Sequence, residues 1–112
     1  MKNEITNTMK KSELTKEELK KILAKTEDSD PKLDHYRAYR TLMNETRREL
    51  LKFIGYEIRS IDEIKKEFNL EDDQLNFHLS MLSQSLFIIE SHKGWKSTPR
   101  GIGFLNNAKM GE

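Results

Sequence analysis

Residues 60–98 read SIDEIKKEF, NL, EDDQLNFHLSMLSQS, LFIIES, HKG and WKST, and this stretch decides the fold. Ser60 and Glu63 have the spacing of a capping box, in which each side chain satisfies a backbone N–H at the start of a helix. Ile61, Ile64 and Phe68 follow at i, i+3 and i+7 and define one apolar stripe. Asn69 suits a left-handed C-cap, and Leu70 reads as the buried residue of a tight turn. A second helix is expected from near Glu71 to Asp73, where carboxylates complement the positive end of the helix dipole. Leu75, Leu79 and Leu82 then line its inner face. Residues 87–91 are apolar and β-branched, His92-Lys93-Gly94 is a turn, and residues 95–98 form the return strand. Two short amphipathic helices at a tight turn, followed at once by a hairpin, form a winged helix-turn-helix pattern. The second helix of such a pair is the element that usually meets a partner.

Working outward, Asn44 caps a helix ETRRELLKFI that turns Leu50, Leu51 and Ile54 inward and stops at Gly55. YEIR, after it, is long enough for a single β-bridge to the hairpin. Upstream, Asp30 and Pro31 open a helix over residues 32–43. Leu33, Tyr36, Tyr39 and Met43 share one face of it, with His35, Ala38 and Leu42 opposite. One apolar stripe serves a surface helix. Two imply either a helix held between its own core and a second copy, or one wrapped by its own N-terminal arm. Thr15 and Glu18 form another capping box, with Leu14 placed to staple onto Leu19. The stripe Leu19, Ile22, Leu23 then either docks a solvated arm or meets a partner. Residues 1–12 show no period and are expected to be mobile. Thr98-Pro99 starts a last helix to about residue 108, with Ile102, Phe104 and Leu105 as packing residues. The expected organisation is a helical arm over residues 1–30 and a mainly α winged-helix domain with a small β-hairpin over residues 31–112.

The totals narrow the function. The 112 residues hold 20 Lys and Arg against 19 Asp and Glu, a formal charge of +1, and no cysteine. There is thus no disulfide, thiolate metal site or cysteine nucleophile. No run approaches a membrane helix of about 18 apolar residues, and MKNEITNTMKK lacks the apolar centre of a signal peptide. A cytoplasmic chain is expected. No nucleophile with a neighbouring base, paired carboxylates or phosphate loop stands out, so the chain is expected to be a binding module rather than an enzyme, with no cofactor.

The segment Leu42, Asn44, Thr46, Arg47, Leu50 and Leu51, the pair His78-Leu79 followed by Leu82, and the close Trp95, Thr98 and Gly101 together resemble the ArsR-type winged-helix regulators and, more loosely, the MarR type. The resemblance covers about residues 36–105. It implies dimerisation and binding of double-stranded DNA in transcriptional regulation, and the helices over residues 32–43 and 99–108 are the expected dimer contact. Leu86 stands where those proteins usually end the second helix with glycine, so the backbone there is expected to differ. Ser97 replaces an apolar wing residue. The cysteine pairs of the ArsR metal sensors are absent, and His35, His78 and His92 lack metal-ligand spacing, so no metal site is expected.

The second helix points Asp73, Asn76, Phe77, Ser80, Met81 and Gln84 away from its leucines. Asn76 and Gln84 suit base edges and Phe77 a thymine methyl. Residues 71–85, however, hold three acids and no Lys or Arg, whereas phosphate contacts supply most of the affinity for DNA. Residues 91–100 offer Lys93, Lys96 and Arg100, with His92 and no acid, as the cations for that task. Trp95 there either packs on the core or stacks on a base. The candidate DNA-binding set is therefore Asp73, Gln74, Asn76, Phe77, Ser80, Lys93, Lys96 and Arg100. The alternative is a protein-interaction module in a transcription-related complex, with Phe77 and Met81 as apolar anchors. The arm itself is a third candidate to cover those two residues.

Overall fold

The computed structural model describes residues 14–27 and 30–110; the mobility expected of residues 1–12 lies outside them. Among the described residues the chain forms six helices and one two-stranded antiparallel sheet. The order is α1 (Lys16–Glu27), α2 (Pro31–Leu42), α3 (Glu45–Ile54), α4 (Ile61–Glu67), α5 (Asp72–Gln84), β1 (Ile88–Ser91), β2 (Gly94–Ser97) and α6 (Pro99–Met110).

Five of the six helices start where a side chain can satisfy a first-turn N–H group. Asp30 accepts from the Lys32 amide and Asn44 from the Arg47 amide. Thr15 with Glu18, and Ser60 with Glu63, close both expected capping boxes. At α5 the start is electrostatic: Glu71 makes no side-chain cap, and Asp72 and Asp73 occupy the first turn.

Asn69 does not take the left-handed C-cap expected of it. Helix α4 instead closes on Phe68 in extended conformation (φ −110°), its N–H donating to the Ile64 carbonyl, and Leu70 is only half-buried. The left-handed cap falls to Leu86, φ 64°, the single non-glycine with positive φ among the described residues. The Phe87 amide donates to Leu82 and the Leu86 amide to Ser83, which is a Schellman closure with leucine in the glycine position. Leucine thus holds here the left-handed backbone that glycine commonly takes at a helix end. Left-handed backbone costs an L-residue about 1–2 kcal/mol, and burying a leucine side chain returns about 1.5–3 kcal/mol; Leu86 is buried.

The core is one cluster. Leu50, Leu51 and Ile54 of α3, Ile64 of α4, and Leu75, Leu79 and Leu82 of α5 meet Phe87, Ile88 and Leu105. Phe53 and Phe68 close one edge, ring to edge, at 5.8 Å. In the hairpin, Ile88 pairs with Ser97 and Ile89 with Lys96. Ile88 and Ser97 face the core, where the Ser97 hydroxyl has no protein partner. Ile89 and Lys96, next in the alternation, face the other way. The bridge expected from YEIR forms between Arg59 and Trp95, with N–H to O distances of 2.9 and 2.8 Å in the two directions. Gly94 makes it possible: at φ 141° a Cβ would collide with the Arg59 carbonyl oxygen.

Thr98 joins three elements. Its hydroxyl donates to the Leu86 carbonyl and accepts from the Gly101 amide, while its own amide donates to Phe87. Gly101 is required beside it, because a Cβ there would collide with the Phe87 carbonyl oxygen.

Candidate functional site

Helix α5 divides sharply. Leu75, Leu79 and Leu82 are almost wholly buried, whereas Asp73, Gln74, Asn76, Phe77, Ser80 and Gln84 are exposed. The outer face is thus presented as its periodicity predicts. Met81 is half-buried, and Gln84 donates to the Ser80 hydroxyl at 3.1 Å. Phe77 retains 55% of its surface, so the described part of the arm does not cover it.

Beneath Phe77 lies a support that periodicity does not reveal. Arg47, buried in α3, places its guanidinium carbon 5.4 Å from the Phe77 ring centre. Its Nε donates to His78 Nδ1 at 3.1 Å. Burial, and then the charge of Arg47, lower the pKa of His78 from its ordinary 6.5. The sign follows from linkage: an unfolded chain binds the proton that folded His78 resists, so this contribution is complete above pH 6.5 and is lost as pH falls through the lower folded pKa. Urea midpoints should therefore fall between about pH 7 and pH 5.5. His78→Gln, which keeps an acceptor for Arg47, should reduce that fall; an unchanged pH dependence would assign it to other groups.

The hairpin does not present three free cations. Lys96 is 4% exposed, and its Nζ lies 2.6 Å from Glu18 Oε1 of α1. Burial disfavours the Glu18 carboxylate, but the Lys96 hydrogen bond, the Thr15 amide and the Lys96 charge outweigh it and hold its pKa below the usual value. Arg100 forks onto Asp34 of α2 at 2.6 and 3.2 Å and donates to the Ser85 carbonyl at 2.9 Å. Lys93 and His92 stand exposed at the tip, where the Lys93 amide donates to Ser91. Trp95 is half-buried against the core. Residues 91–100 hold no acid, as their sequence says, but α1 and α2 deliver two carboxylates to them from far away in the chain. Near α5, Lys65 of α4 pairs with Asp72 at 3.1 Å and Lys66 is exposed, cations not anticipated for this face.

Helix α1 docks by an unexpected side. Glu18 is buried and Ile22 half-buried, whereas Leu19 and Leu23 point outward at 47% and 51% exposure. Ile22 and Ala24 share a crevice with Leu86, Ile88 and Ile89, which sets α1 across the outer face of the hairpin. The ion pair to Lys96 overrides the leucine stripe in choosing the docked face. On α2, Ala38 and Leu42 pack toward the core, while Leu33, Tyr36, Tyr39 and Met43 are exposed. The described arm therefore does not wrap α2.

A protein of Archaeoglobus fulgidus, described as an uncharacterized protein, is 34% identical over 71 residues, spanning 63% of this chain and 82% of its own length. The chain belongs to the same family as this archaeal protein. No family model matches the chain, and no solved structure does. Among the described residues no group of three or more His, Asp or Glu is placed to hold a metal ion, and no helix is long and apolar enough to cross a membrane.

Proposed function

We propose that this protein is a winged helix-turn-helix DNA-binding transcriptional regulator, akin to the ArsR type, that acts as a homodimer. The carrying observation is the division of α5: a leucine face sealed into the core beneath α3 and α4, and an outer face of Gln74, Asn76, Phe77 and Ser80 left to solvent beside a hairpin. Amides and an aromatic edge on a rigidly seated helix suit base edges and a thymine methyl in a major groove. The exposed face of α2, with Tyr36, Tyr39 and Met43, is the self-complementary surface that a second copy would bury.

A second reading is favoured by the state of the cations. With Lys96 and Arg100 engaged, the outer α5 face keeps Phe77 and Met81 as a small apolar spot, and the hairpin offers it fewer free cations. That suits a winged-helix module contacting protein in a transcription-related complex, with both residues as anchors.

Fluorescence anisotropy with genomic duplex fragments separates the two. DNA binding predicts saturation at about 50 mM salt with two protomers per site. Lys93→Ala should flatten the slope of log K against log salt by roughly 0.9 per protomer, and Phe77→Ala should change fragment preference with the slope intact. No saturable binding to any fragment, together with a partner pull-down lost on Phe77→Ala, would overturn the DNA reading in favour of the protein one.

A further inference from the structure

Lys96 is unusual for a lysine on the outer face of a hairpin. It pairs across the sheet with Ile89, on the side opposite the core-facing Ile88 and Ser97, and should by position stand in solvent. Helix α1 instead lies over it and supplies Glu18 at 2.6 Å. We propose that α1 is a displaceable latch on the hairpin: Glu18 occupies Lys96 in the way a nucleic-acid phosphate would, and release of α1 exposes Lys96 beside Lys93 and His92 as one cationic edge for a phosphate backbone.

Three observations support exchange rather than permanent burial. A carboxylate and a phosphodiester present the same kind of anionic oxygen to an ammonium group, so one replaces the other without a change in Lys96. Helix α1 has 12 residues, too short to be stable by itself, and it is held by a narrow contact in which Glu18 and Ile22 face inward and both leucines of its stripe face out. Elements with so few buried apolar groups open first. Finally, the hairpin's side of the cleft beneath α1 carries His92, Lys93 and Lys96 against one acid, Glu90, while α1 contributes Lys16 and Lys21 with Glu17 and Glu18. Release of α1 takes both of its carboxylates away and leaves two lysines against one carboxylate on the hairpin.

The inference rests on the DNA reading above, and its test separates the two. Parent, Glu18→Gln and Glu18→Gln with Lys96→Met are titrated against the same genomic duplex fragments at two salt concentrations. Hydrogen exchange of α1 amides in the parent is followed with and without DNA. The latch predicts roughly tenfold tighter binding by Glu18→Gln at about 50 mM salt and a slope steeper by about 0.9 per protomer. Lys96→Met should cancel both gains, and DNA should speed exchange in α1 of the parent. Binding by Glu18→Gln where the parent shows none also supports the latch. If both proteins bind with equal slopes, or DNA leaves α1 exchange unchanged, the latch is overturned and DNA binding stands. If neither protein binds any fragment, both fall.

Discussion

Leu79→Ala should lower the free energy of unfolding by about 2–5 kcal/mol, the range for truncating a leucine in a closed core. Leu79 is 1% exposed and belongs to the cluster in which α5 meets α3 and α4. Its neighbours come from several elements at once, so they cannot collapse into the void without moving a helix. For a domain of this size each kcal/mol is worth about 4–8 °C in Tm, and the loss should be plain in a thermal scan. Urea unfolding that shifts by less than about 1 kcal/mol would contradict a sealed leucine face. Phe77→Ala, two residues away on the exposed side, provides the internal control.

Gly94→Ala should cost about 1–3 kcal/mol from backbone strain alone, and more in total because the new methyl group has no room. At φ 141° the Cβ would meet the Arg59 carbonyl oxygen, with the Ser60 nitrogen 2.8 Å away. Relief requires the Arg59–Trp95 bridge to open, so the two hydrogen bonds of that bridge should lose amide protection ahead of the rest of the hairpin. Gly103→Ala is the matched comparison, since a Cβ there meets nothing within 4 Å. Equal stability of the two variants would show that the close approach at Arg59 is not constraining.

Most of the fold is legible in the sequence because its determinants are local or periodic. The capping boxes at Thr15 and Ser60, the proline at α2, and the leucines of α5 each announce an element within a few residues. The bridge at Arg59 needs an extended piece of the length of YEIR and a glycine opposite it, and both are visible in the chain. What stays hidden is long-range and polar. Nothing near Lys96 hints that Glu18, on the other side of the chain, will neutralise it, and nothing near Arg100 points to Asp34. Hydrophobic periodicity misplaces the docked face of α1 for the same reason: it ranks Leu19 and Leu23 above Glu18, while the buried ion pair decides. The candidate face of α5 is read correctly as a surface, yet its support, Arg47 under Phe77, depends on a crossing of α3 and α5 that neither helix encodes by itself. Leu86 marks a further limit. Glycine is the usual signal for a left-handed cap, but a buried leucine can hold the same backbone.

The placement of Arg100 turns the end of α5 into part of a ruler. Its guanidinium grips Asp34 on α2 with two nitrogens and the Ser85 carbonyl at the C-cap of α5, while Thr98 ties the next carbonyl, that of Leu86, to the first turn of α6. A planar fork fixes angle as well as distance. A tilt of α2 is therefore handed to the C-terminal end of α5 instead of being absorbed in a loop. In two copies joined along α2, the separation and relative pitch of the two α5 helices would be set by these contacts, and with them the spacing between half-sites that such a pair could read.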